Sequence, residues 1–271
     1  SVELLYVVSK INYEFKILMN LLFKANLNAS IIVFSFIFLI MACGKDDNEN
    51  GSGSNDNKKY GTFTDPRDQH VYKTIKIGNQ TWMAENLAYL PKVVPANKVS
   101  PTIGYNYVYG YSGTNVSAAT TLGNYATYGV LYNWVAALYA CPAGWHLPSD
   151  KEWTTMVDYL IANNYNYDRT TVHNKIAKAI SATSWWEVSN VEGSIGNRLD
   201  ANNSSGFSAL PGGKVDDIGF CIFYGCYGYW WSSTESSTYG ASYRFMYSNS
   251  IGIGQDYERK ESGFSVRCIK N

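Results

Sequence analysis

Apolar residues fall along this chain in three distinct patterns. Ala29 to Ala42 (ASIIVFSFIFLIMA) is a continuous apolar run without a charge, preceded by Lys16 and Lys24. It is shorter than the ~20 residues a membrane-spanning helix needs, and its basic flank and small closing residue fit a secretory signal. Beyond residue 70 the pattern is strand-like. Val71, Lys73, Ile75 and Ile77 alternate with His70, Tyr72, Thr74 and Lys76, and Gly78-Asn79 interrupts the run before Gln80-Thr81-Trp82-Met83. This predicts a hairpin with a two-residue turn. The third pattern is helical, with Leu131, Trp134, Val135 and Leu138 at i, i+3, i+4 and i+7. A second helix is predicted after Ser149, which with Glu152 forms a capping box ahead of Trp153, Met156, Val157, Leu160 and Ile161.

The remaining segments complete an α+β reading. Residues 91–128, rich in Tyr, Gly, Ser, Thr and Asn, have no sustained period and read as a long irregular excursion. Cys141-Pro142-Ala143-Gly144-Trp145-His146-Leu147-Pro148 is a rigid bend between the two helices, a weaker helix is expected near 171–181, and short strands follow from Trp185 onward. The chain closes on Phe264, Val266 and Cys268 alternating with Ser265, Arg267 and Ile269, a strand signature. No internal repeat or heptad is visible.

The 16 residues after Cys43 (GKDDNENGSGSNDNKK) contain nothing apolar, so they cannot pack and read as a flexible tether. The expected organisation is a signal peptide over 1–42, a tether over 43–59 and a globular domain over 60–271. Met19 begins a signal of normal length, so residues 1–18 read as upstream sequence. Ile40-Met41-Ala42-Cys43 resembles a bacterial lipobox, which implies lipidation of Cys43 and a membrane anchor through it. Lys45-Asp46-Asp47 resembles the export signal of surface lipoproteins in the Bacteroidetes, so the expected place is the cell outer membrane, facing the exterior.

Composition narrows the function. Lys+Arg 22 against Asp+Glu 22 leaves no net charge, which argues against a nucleic-acid partner held by counterion release. Aromatics reach 15%, with 23 Tyr and 8 Trp. Apart from Cys43 there are four cysteines, an even number suited to an exported domain. The short Cys221 to Cys226 interval, with Gly225 inside it, suits a local bridge and leaves Cys141 to join Cys268. Zinc is disfavoured because CxxC spacing is absent and only His146 lies near any of them.

Six ordered blocks carry a resemblance. They are Gln80-Thr81-Trp82-Met83-Ala84-Glu85-Asn86-Leu87, Leu131-Tyr132-Asn133-Trp134, the bend from Cys141 to Pro148, Gly206-Phe207-Ser208-Ala209-Leu210-Pro211-Gly212-Gly213, Tyr229-Trp230-Trp231-Ser232-Ser233-Thr234-Glu235, and Gly263-Phe264-Ser265-Val266-Arg267-Cys268. Together they resemble the Fibrobacter succinogenes major paralogous domain. The resemblance implies a C-type-lectin-like α+β fold, similar also to formylglycine-generating enzymes, with two main helices, a small mostly antiparallel sheet, long loops and paired N- and C-terminal strands. It also supports the Cys141 to Cys268 disulfide.

Candidate chemistry is sparse. His70, His146 and His173 are the only histidines, and His146 reads as a structural group beside the helix entry. Ser232, Ser233 and Glu235 lack a Gly-x-Ser-x-Gly elbow. Cys221 and Cys226 have no Lys, Arg or His among their immediate neighbours to activate them, so neither catalytic residues nor cofactors are expected. The carboxylates Asp216, Asp217, Asp256 and Glu258 do not make a metal site, and the sugar-binding triplets of calcium-dependent lectins do not occur. The tyrosine-rich stretches 105–128 and 224–257 instead resemble evolved binding loops, where Tyr supplies contact area and Ser, Gly and Asn adaptable hydrogen bonds. Tyr239, Ser242, Tyr243, Arg244, Tyr247, Asn249 and Asp256 are the candidate contacts for a glycan or protein ligand. Similar lectin-like folds are also targets of diversity-generating retroelements, and 239–257 is where such variation would fall. An enzyme related to formylglycine-generating oxidases, or an envelope hydrolase, is the alternative.

Overall fold

A computed structural model describes residues 60–271. The signal, the tether and Cys43 lie outside the described residues. The hairpin appears where the alternation put it: β2 (Val71–Ile77) and β3 (Gln80–Met83) pair antiparallel around Gly78, whose φ of 60° suits glycine, with Ile75 opposite Trp82. β1 (Gly61–Thr64) adds to the outer edge of β2. At the other edge the C-terminal β13 (Ile269–Lys270) lies between β3 and β6 (Trp145–His146), giving the order β1-β2-β3-β13-β6.

The second sheet is larger. It contains β4 (Asn106–Tyr107), β5 (Leu131–Asn133), β7 (Gly212–Val215), β9 (Tyr227–Glu235), β10 (Gly240–Tyr247), β11 (Gly254–Arg259) and β12 (Gly263–Ser265), in the order β11-β10-β9-β7-β12-β5-β4, with β8 (Cys221–Tyr224) attached to β7. Strand dominates over helix. The excursion over 91–128 holds β4 and two short helices, α1 (Val116–Thr120), capped by the Asn115 side chain, and α2 (Gly123–Tyr128).

The first predicted helix is corrected. Leu131 belongs to β5, paired with Ser265 of β12, and only one helical turn follows, α3 (Trp134–Ala137). Asn133 sets the break: its side chain caps α3 by accepting from the Ala136 N–H and also accepts from the Tyr105 N–H at 2.8 Å. The second predicted helix is α4 (Asp150–Ala162), with both arms of the Ser149–Glu152 capping box formed and Trp153, Met156, Val157 and Leu160 buried. The weak helix near 171–181 is reduced to α5 (Ala177–Ile180), a single turn. The closing strand differs from its in-out pattern. Ser265, Arg267 and Ile269 are as buried as Phe264, Val266 and Cys268, because the segment runs through the interior with packing on both sides.

Two main apolar clusters result. One packs α4 and α5 against Trp82, Phe207, Trp230 and Met246; the other gathers Tyr72, Leu87, Tyr132, Trp134, Trp231 and Phe264. Trp230 and Trp231 are neighbours on β9 and serve opposite faces, as strand geometry dictates. Cys141 and Cys268 are joined by a disulfide with a Cα–Cα distance of 5.9 Å, tying the bend to the C-terminal segment.

Candidate functional site

Strand β10 lies between β9 and β11, so its side chains alternate between two environments. On the α4 side, Ser242 and Arg244 close around Asp150 at the start of that helix. Ser242 Oγ donates to Asp150 Oδ1 at 3.2 Å, Arg244 Nη2 donates to the same atom at 2.5 Å and to Thr154 Oγ1 at 2.9 Å, and Gln255 Nε2 donates to Asp150 Oδ2 at 3.0 Å. Ser242 and Arg244 are therefore buried parts of a helix clasp, and their assignment as ligand contacts is corrected.

The opposite side carries the tyrosines. Tyr243, Phe245 and Tyr247 stand opposite Trp231, Tyr229 and Tyr227 in register, three cross-strand aromatic pairs on one face. Along each strand the outer rings are nearly parallel, Tyr227 and Tyr229 at 5.8 Å and 4°, Phe245 and Tyr247 at 6.4 Å and 10°. Gly254 of β11 sits where a Cβ would lie 2.4 Å from the Phe245 ring, so its bare backbone is what admits that ring. Burial deepens from Tyr227, Phe245 and Tyr247, all half-buried, to Trp231 at the inner end.

Their hydroxyls distinguish these tyrosines from those of the core. Tyr107, Tyr125 and Tyr132 donate to the carbonyls of Lys98, Ala88 and Tyr89 at 2.7, 2.9 and 2.6 Å, and the Tyr72 hydroxyl accepts from the Ala88 N–H. The hydroxyls of Tyr227, Tyr229, Tyr243 and Tyr247 have no hydrogen-bond partner among the described residues, nor are they sealed-off orphan atoms. The face is a row of phenol groups graded from half-buried Tyr227 and Tyr247 to buried Tyr229 and Tyr243. Burial raises the pKa of Tyr229 and Tyr243, reinforced at Tyr243 by Asp256 and Glu258, so these two hydroxyls stay protonated and can donate. Asp256 is exposed and opposite Tyr243 in register. Glu258 pairs with Lys214 at 3.0 Å, and that ammonium lies 5.4 Å from the Tyr229 ring centre.

Tyr243, Tyr247 and Asp256 thus come together, whereas Tyr239 is exposed in the turn before β10 and Asn249 in the turn after it. An open groove of about 350 Å³ passes Phe245, Tyr247 and Asn249 toward Asn174. Tyr227, Tyr229 and Lys214 escape a reading based on loop-like composition. The signal that finds them is the period of two in Tyr227, Tyr229, Trp231 and again in Tyr243, Phe245, Tyr247.

The Cys221–Cys226 bridge is corrected: both residues carry thiols. Cys221 opens β8, opposite Val215, and three further residues at ~3.3 Å each carry the chain away before Gly225 turns it. Past that turn the Cys226 N–H donates to the Phe223 carbonyl at 3.3 Å, which sets Cys226 beside Phe223 and not beside Cys221. Burial pushes the Cys221 thiol up, the opposite of an activated cysteine. His146 sits in the α4 cap, its Nε2 2.7 Å from Glu152 Oε1 and its Nδ1 2.7 Å from Asn271 Oδ1. Burial opposes ionisation of Glu152, but hydrogen bonds from the Ser149 N–H and hydroxyl and from His146 hold it below the usual carboxylate value. Among the described residues no three His, Cys, Asp or Glu side chains gather as a metal site.

An antiparallel sheet, a larger mixed sheet, a disulfide and a tyrosine face define a strand-rich domain built around a buried aromatic core. The Fibrobacter succinogenes major domain matches residues 75–270, and the chain belongs to that family. No curated protein and no solved structure matches it.

Proposed function

We propose that this chain is a surface lipoprotein whose domain binds a glycan, without catalysis, through the phenol row of β9 and β10. The observation carrying this reading is the four tyrosine hydroxyls without protein partners beside Asp256. A polyhydroxylated ligand supplies both donors and acceptors, so it matches phenol groups that donate and a carboxylate that accepts. A lectin-like scaffold is consistent with the C-terminal strand closing onto the N-terminal hairpin. Lipidation at Cys43 would tether the face outside the outer membrane.

One experiment tests both parts. Cells carrying the full chain are probed with fluorescent glycans on an array, in parallel with the Cys43→Ala variant and a variant changing Tyr227, Tyr243 and Tyr247 to Phe. The intact chain should remain cell-bound and retain a glycan, the Cys43→Ala chain should leave the membrane fraction, and the triple variant should stay folded while losing about tenfold in affinity. Equal binding by the triple variant removes the phenol row from recognition.

A further inference from the structure

Of the eight tryptophans in the chain, seven are buried, and Trp185 alone is 60% exposed. Its backbone is also unusual. Trp185 has φ of 74° and Phe223, in the neighbouring strand, φ of 68°, a region that bulky side chains avoid. The two segments are locked together: the Glu187 N–H donates to the Gly225 carbonyl at 2.9 Å, the Gly225 N–H to the Pro211 carbonyl at 2.8 Å, and Trp186 Nε1 to the Ala209 carbonyl at 3.0 Å. Trp186 is buried by this arrangement, and Trp185 is turned outward.

A small aromatic platform results. The Trp185 ring meets Tyr128 edge-on at 6.4 Å, and Tyr128 meets Tyr224 edge-on at 6.4 Å. Tyr224 is 50% exposed and packs on Tyr109 at 4.9 Å. Thr183 and Ser184, just ahead of Trp185, are exposed and offer hydroxyls. The strand β8 connects this platform to the phenol row, since Phe223 packs on Tyr227 at 4.9 Å while the next residue, Tyr224, belongs to the platform.

We propose that Trp185 and Tyr224 form a stacking subsite for a pyranose ring, making the ligand an oligosaccharide; this rests on the glycan-binding reading above. An exposed ring on a strained backbone gains nothing from burial, so its position is explained by what it presents. Its size favours a sugar over a protein. Two partly exposed rings at roughly 150–250 Å² each fall short of the ~800 Å² per partner of a stable protein interface. A single pyranose covers one such ring, with its hydroxyls left to bond at the rim.

The test uses the exposure itself, because iodide reaches Trp185 and not the seven buried tryptophans. The full chain in detergent is titrated with cellohexaose, xylohexaose, maltohexaose and chitohexaose while iodide quenching of tryptophan emission is followed. At least one hexasaccharide should protect Trp185 and shift its emission to the blue. Trp185→Ala should weaken that sugar about tenfold, with Trp185→Phe restoring most of the loss. Trp185→Gly should bind as weakly as Trp185→Ala while melting no lower than the parent, since φ of 74° suits glycine; this separates lost stacking from lost folding. A hexasaccharide that binds with Trp185 still open to iodide, or with unchanged affinity in Trp185→Ala, overturns the subsite and leaves the phenol row standing. Protection that survives the Tyr227, Tyr243 and Tyr247 to Phe changes overturns the phenol row and leaves the subsite. If no hexasaccharide binds, both fall.

Discussion

The Arg267 guanidinium is fully buried, and no carboxylate pairs with it among the described residues. It donates instead to the carbonyls of Met83, Phe207 and Ser208 and to Asn86 Oδ1 at 2.9 Å, and it stacks 4.5 Å from the Phe207 ring centre. Burial pushes its pKa down to about 9, so at neutral pH the charge is kept, held by these dipoles and by the field of the Glu85 carboxylate. Asn86 shares the site, accepting from Trp230 Nε1 at 3.0 Å and donating to the Tyr128 carbonyl and to Ser265 Oγ. Four of the six motif blocks therefore meet in one buried network, which makes those motifs a device for folding. Arg267→Met should cost about 3 kcal/mol or more by leaving several buried acceptors unpaired. Arg267→Lys should not restore it, because an ammonium cannot reproduce the planar fork. Urea unfolding measures this, and a loss under about 1 kcal/mol would show the network to be dispensable.

At the scale of the element, the start of α4 is where local sequence and local structure agree. Ser149, Glu152 and the apolar stripe lie within one or two helical turns, so the capping box and the helix are legible without tertiary information. The Glu152 carboxyl is held below its ordinary value of 4.5 in the fold, so its stabilisation is present above that pH and lost as pH falls through the lowered value. Glu152→Gln should therefore unfold about 1 kcal/mol more easily at pH 7, with the difference closing at an acid pH below that lowered value. Thermal melts at the two pH values decide it, and a gap independent of pH would remove the carboxylate from the explanation. Elements fixed by distant partners were not legible in this way. The period at Leu131, Trp134 and Leu138 is helical on paper, yet β12 claims Leu131 for a strand. Ser242 and Arg244 look like loop residues until Asp150, some 92 and 94 positions away, is brought beside them.

At the scale of the whole domain, the two apolar clusters are joined by β9, and the Cys141–Cys268 disulfide within one of them spans a sequence separation of 127. A loop of that length implies a large entropic contribution, so reduction should lower stability by about 2–5 kcal/mol. Melting with and without a reductant measures it, and peptide mapping without reductant should find these two cysteines joined and Cys221 and Cys226 alkylated. The tyrosine surplus is legible in the composition, but only the pleat separates the tyrosines whose hydroxyls bond within the core from those of β9 and β10.

That pleat divides β10 between two duties. Ser242, Arg244 and Met246 hold α4 and its core, while Tyr243, Phe245 and Tyr247 look the other way. Selection acting on the outer positions is therefore uncoupled from the inner ones. The same scaffold can exchange its outward side chains, residue by residue, and present a different surface in descendants that still fold alike.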